Sequence, residues 1–166
     1  TQVMRSNDIF RGIPYDFVQF TCLQEIFAGW LGVGLGSYCH VSDSLHAYER
    51  DLKNILAASA VAPSEDTSSL ALPLSDSEKV FQDLAHSVER IIDHDTSPAD
   101  LLAALNGCRL PTAYKDMLAV LTAEGLRNRG ATSAYMEAIN VCASPLHRQL
   151  WQRWLARYPV KSIVQT

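Results

Sequence analysis

Between Asp16 and Leu31 the side chains of Phe17, Val18, Phe20, Cys22, Leu23, Ile26, Phe27, Trp30 and Leu31 are apolar over much more than one stripe of a helix. An amphipathic stripe is enough for a helix that rests on a surface, so this run predicts a helix buried on most sides. Gly29, Gly32, Gly34 and Gly36 mark its end. Gly32-Val33-Gly34-Leu35-Gly36 follows a helix and leads into a strand, the wrong context for a phosphate-binding loop, and reads as a C-cap and turn. On either side, Thr1 to Pro14 and Ser37 to Leu45 read as strands, and His46 to Ala58 as an amphipathic helix on Tyr48, Leu52, Ile55 and Leu56. Two strands and two helices leave much of a sheet uncovered, which predicts a dimer partner or an N-terminal half of the fold outside this chain.

The first strand carries the densest chemistry: Arg5-Ser6-Asn7-Asp8-Ile9-Phe10-Arg11-Gly12-Ile13-Pro14-Tyr15-Asp16. A guanidinium beside a serine hydroxyl suits a phosphate, because the planar fork offers two charge-assisted hydrogen bonds and the hydroxyl a third. Asp16 lies where the helix begins. A carboxylate there either caps free backbone N–H groups or accepts hydrogen bonds from a ligand amino group.

The segment from Arg5 to Tyr48 resembles the nucleotide-binding part of thymidylate synthases and the related pyrimidine-nucleotide hydroxymethylases. One block is Arg5, Ser6, Asp8, Gly12, Pro14, Tyr15 and Asp16; the other, after one helix, is Gly36, Tyr38, His46 and Tyr48. The resemblance implies a pyrimidine nucleoside monophosphate as ligand, with Arg5 and Ser6 on its phosphate, Asp8 near its base, and His46 and Tyr48 at the sugar hydroxyl. It implies a homodimer, and a reduced folate, 5,10-methylenetetrahydrofolate, as source of a one-carbon unit for carbon 5 of the ring.

Two positions depart from that pattern. Uracil-directed synthases usually carry asparagine at the place of Asp16, since an amide both donates and accepts. A carboxylate only accepts, which tilts the expectation toward cytosine, whose exocyclic amino group donates. The family's nucleophilic cysteine sits on a strand before the Arg-Ser block, and none of Cys22, Cys39, Cys108 and Cys142 falls there. The resemblance therefore places the nucleophile upstream of Thr1. The alternative function is a non-catalytic nucleotide-binding or protein-interaction module with a helical C-terminal domain.

The four cysteines form no Cys-x-x-Cys pair and no cysteine–histidine ligand spacing, so they read as free thiols in a reducing cytoplasm and imply no metal. A net charge of −4 argues against a nucleic-acid polymer or an anionic membrane as partner, with Arg5 and Arg11 as a local exception. No apolar run approaches bilayer-spanning length, and the N-terminus does not read as a signal peptide.

The expected fold class is α+β, a partial thymidylate-synthase-like sheet-and-helix lobe followed by an all-α bundle. Residues 1–58 form the nucleotide-binding segment, the small, polar and proline-containing stretch 59–74 a linker, and 75–166 the bundle. Ser75-x-x-Glu78 reads as a capping box for the first bundle helix, and Ser97-Pro98 and Ser144-Pro145 open two others. Thr112 to Arg127 and Ser133 to Cys142 read as the remaining helices. His86, Glu89 and His94 read as a solvated face. Trp151 and Trp154 read as core anchors, or with Arg148, Arg153 and Arg157 as a partner surface.

Overall fold

Parallel strands cannot be joined by a tight turn, and here one helix makes the crossover. In the computed structural model, which describes residues 1–58 and 68–158, strand β1 (Gln2–Asp8) leads through α1 (Ile13–Leu31) to strand β2 (His40–His46). The two strands pair in parallel, Gln2 opposite His40, Ser6 opposite Ser44 and Asp8 opposite His46. Helix α1 starts earlier than the sequence suggests. The Asp8 carboxylate accepts the N–H groups of Phe10 and Arg11, which closes the strand in a turn, and Pro14 then sits in the first helical turn, where a missing N–H costs nothing. Gly12 is the N-cap, so Asp16 lies inside the first turn and is not the cap. At the other end Gly32 adopts φ +63° and closes α1, as its glycines suggest.

The second block is less helical than expected. His46 stays in the ladder, its carbonyl accepting Ile9 N–H at 2.9 Å, and only a 3-10 turn (Glu49–Asp51) and the short α2 (Leu52–Leu56) follow. The burial expected of α1 is not met: none of its residues is buried, and Phe27 is 48% and Leu31 73% exposed.

The described residues fall into two compact units, 1–58 with 70–74, and 68–69 with 75–158. The part of the expected linker from 59 to 67 lies outside the described residues, as does 159–166 of the expected bundle. Residues 70–74 return to the first unit: Leu70 N–H donates to the Glu25 carboxylate at 3.0 Å, and a Cβ on Gly29 would stand 2.5 Å from the backbone nitrogen of Leu72.

The second unit is mostly helical, with α3 (Leu74–Ile92) leading into it, then α4 (Pro98–Gly107), α5 (Thr112–Asn128), α6 (Thr132–Val141) and α7 (Pro145–Arg157). Its core is centred on α5, where Tyr114, Leu118, Ala119, Ala123 and Leu126 are buried, joined by Leu101, Leu105, Ile139 and Trp151. A Cβ on Gly125 would lie 2.5 Å from Ile91 Cγ2, so α3 approaches α5 closely there. Ser97 and Ser144 cap α4 and α7 by accepting the N–H groups of Asp100 and His147. Ser75 caps nothing, because α3 already begins at Leu74. Trp151 is buried against Tyr135, whereas Trp154 is 43% exposed and donates to Glu124. His86 and Glu89 form an exposed pair one turn apart. No helix among the described residues is long and apolar enough to cross a membrane.

Candidate functional site

Residues two apart on a strand point to the same side, and strand neighbours in register share it. Ser6 and Asp8 therefore face the same way as Ser44 and His46. Ser6 Oγ lies 3.4 Å from His46 Nδ1, and the His46 ring meets Tyr48 edge to face at 5.3 Å between centroids. The Arg50 guanidinium stands 4.8 Å from the Tyr48 ring centre. Ser6, His46 and Tyr48 are thus brought together from both ends of the βαβ unit.

Asp8 is buried, and while one of its oxygens holds the turn, the other is shielded from water with no partner among the described residues. Such an oxygen wants a donor. Arg5 is exposed, and the pleat turns it to the side of β1 opposite Ser6.

Asp16 belongs to a second cluster. Asn7 Nδ2 donates to its carboxylate at 2.6 Å and lies 3.2 Å from His40 Nε2, while the Tyr38 hydroxyl lies 3.1 Å from His40 Nδ1. Phe17 packs on both rings, 5.6 Å from Tyr38 and 5.3 Å from His40. Burial first, and Asp16 second, push the Tyr38 phenol above its usual pKa, which keeps its proton in place. Asn7 is the sequence link between the two clusters, standing between Ser6 and Asp8.

Sequence reasoning missed Asn7, His40, and the pair Arg11 and Asp51, in which Arg11 makes two hydrogen bonds of 2.7 Å to a carboxylate that is 3% exposed. Asn7 fills the variable position of its block, so no motif marks it. Arg11 stood out only as a local positive charge, and its partner lies forty residues away.

Two of the four cysteines are held as thiols by their surroundings. Cys22 lies in α1, where burial, then Glu25, raises its pKa. Cys142 belongs to the second unit and is pushed up to about 11, by burial first and by Asp116 next. Cys39 is exposed at the entry to β2, and Cys108 follows α4.

The sequence model of the thymidylate synthase family matches residues 1–100, a range that takes in both clusters, all of α3 and the start of α4. Deoxyuridylate hydroxymethyltransferase of Bacillus phage SP01 is 46% identical over 48 residues, which make up 28% of this chain. The chain spans 12% of the length of that curated relative.

Proposed function

Since the chain belongs to the thymidylate synthase family, which transfers one-carbon units to pyrimidine nucleotides, we propose that its first unit binds a pyrimidine nucleoside monophosphate for that transfer. Ser6 takes the phosphate, Asp8 lies toward the base, and His46 and Tyr48 hold the sugar hydroxyl; Arg5, which leaves β1 on the other side, joins Ser6 on the phosphate by reaching round the exposed strand with its long side chain. The observation that carries this reading is the approach of Ser6 Oγ to His46 Nδ1 at 3.4 Å, with Tyr48 against the imidazole. A phosphate and the sugar it is bonded to need contacts that close together. The unpartnered oxygen of Asp8 adds an acceptor beside them.

Asp16 tilts the site toward cytosine, its carboxylate accepting from the exocyclic amino group while Asn7 holds it in place. A uracil nucleotide is the second reading, favoured by the deoxyuridylate in the phage relative's name.

The covalent step in the family uses a cysteine thiolate, and the environments of Cys22 and Cys142 favour the thiol. Binding and orientation are therefore the tasks assigned to this chain, and the one-carbon transfer belongs to the whole protein. Methylenetetrahydrofolate enters through family membership. The uncovered apolar surface of α1 is where a second copy of the chain would dock to form the homodimer.

Calorimetric titration of the chain with deoxycytidine and deoxyuridine monophosphates tests the reading. Binding of either, weakened about tenfold or more in Arg5→Ala, supports the site. Tighter binding of the cytidine nucleotide that reverses in Asp16→Asn supports the cytosine assignment, and no binding of either defeats the site.

A further inference from the structure

Three side chains with metal-ligating atoms meet in the second unit, far in sequence from the nucleotide-binding motifs. Asp116 comes from α5, Cys142 is the residue that closes α6, and His147 stands in the first turn of α7. One ligand atom from each lies within 4.8 Å of the other two. Asp116 and Cys142 are buried and His147 is partly so.

We propose that Asp116, Cys142 and His147 form a binding site for a divalent transition-metal ion, with Zn²⁺ the ion their chemistry suits best. A thiolate, an imidazole and a carboxylate are a donor set that zinc accepts and that magnesium and calcium, which prefer oxygen alone, do not.

Beyond proximity, His147 Nδ1 is shielded from solvent and has no hydrogen-bond partner among the described residues. A buried ring nitrogen in that condition calls for a partner, and its imidazole stands with two potential anions that would share a cation. Asp116 is also held as ligands usually are: its two oxygens accept the N–H groups of Ala143 and Ser144 at 2.7 and 2.9 Å. Each oxygen keeps a lone pair for a metal, and the backbone fixes the direction of the carboxylate. The Ser144 hydroxyl caps the turn that carries His147. Arg148 bonds the carbonyl of Cys142, which steadies the loop between the last two helices.

Bond lengths of about 2.0–2.3 Å place tetrahedral ligand atoms roughly 3.3–3.8 Å apart, so side chains now within 4.8 Å close by at most about 1–1.5 Å around the ion. Binding exchanges the Cys142 proton, released to solvent, for a metal–sulfur bond, and His147 binds as the neutral ring. The charges of thiolate and carboxylate then balance those of Zn²⁺. The fourth position is left to water, and the ion ties α5 to the junction of α6 and α7.

The test uses the full chain, stripped with a chelator and titrated with Zn²⁺ against a chromophoric competitor, with Co²⁺ as a spectroscopic probe. Expected are one equivalent of tight Zn²⁺, a thiolate-to-cobalt charge-transfer band, and a higher melting temperature with metal. Cys142→Ser and His147→Gln should each weaken binding at least about tenfold and remove the metal-dependent rise in melting temperature. His147→Gln, on the less buried ligand, serves where the serine variant does not fold, and Cys39→Ser controls for surface thiols. Zn²⁺ that binds wild type and His147→Gln alike, that is lost in Cys39→Ser, or that does not bind at all overturns the proposal.

Discussion

Arg11 and Asp51 are joined by two parallel hydrogen bonds of 2.7 Å, a guanidinium from the turn after β1 gripping a carboxylate from the turn after β2. The side chain of Asp51 is 3% exposed while that of Arg11 is 56% exposed, so the charge that depends on the pair is the aspartate. The hydrogen bond from Arg11 holds the Asp51 pKa below the ordinary carboxylate value of 3.8. A depressed carboxylate pKa contributes stability above the unfolded value and loses it as pH falls through the folded one. Arg11→Met should therefore destabilise the first unit at pH 7, and its deficit relative to wild type should shrink below about pH 4. Urea denaturation at pH 7 and at pH 3 measures both, and a deficit independent of pH would contradict the pairing.

Gly12 is a glycine for reasons of space. A Cβ there would lie 1.9 Å from Asn7 Oδ1 and 3.0 Å from the Asp8 carbonyl oxygen. Gly12→Ala should displace Asn7, break its bond to Asp16, and cost about 1–3 kcal/mol of stability, the usual range for overpacking. Nucleotide affinity should fall with it, as read by thermal shift with and without ligand.

The proposed nucleotide contacts differ in strength. Removing the guanidinium in Arg5→Ala should cost about 1.5–3 kcal/mol of binding, roughly tenfold to a hundredfold in Kd, as charge-assisted bonds do. Ser6→Ala and His46→Ala should each cost about 0.5–1.5 kcal/mol. Their double variant should cost less than the sum if the two side chains act on one ligand region, which a double-mutant cycle by calorimetry measures.

In the second unit Leu105 is 1% exposed, and Leu105→Ala should destabilise by about 2–5 kcal/mol. Gly125→Ala should act through crowding, since its new methyl would meet Ile91 Cγ2. Both changes should lower the helical unit's melting transition and leave nucleotide affinity at the first unit intact, as read by scanning calorimetry beside titration.

Local signals carried the helical unit well. Ser97-Pro98 and Ser144-Pro145 open helices because a hydroxyl accepts a free N–H and a proline needs none, facts contained in adjacent residues. Ser75-x-x-Glu78 also offers a capping hydroxyl, yet α3 starts one residue earlier at Leu74. The family resemblance was legible in the two blocks of the first unit, and the helical second part in the apolar spacing after Leu74. The breadth of the apolar surface on α1 was legible too, but its cover was not, because exposure depends on what lies against the helix. Long-range pairs stayed hidden: Arg11 with Asp51, Asn7 with Asp16 and His40, and Asp116 with Cys142 and His147 meet through packing that no local spacing records.

Gly29 bears on how this protein is divided for study. Its missing side chain lets the backbone of Leu72 lie directly on α1, and Leu70 reaches Glu25 from the same stretch. An expression fragment cut at Ala58, where the compositional boundary invites the cut, would strip that strap from the helix and bare still more apolar surface. A fragment carried through Leu74 keeps it.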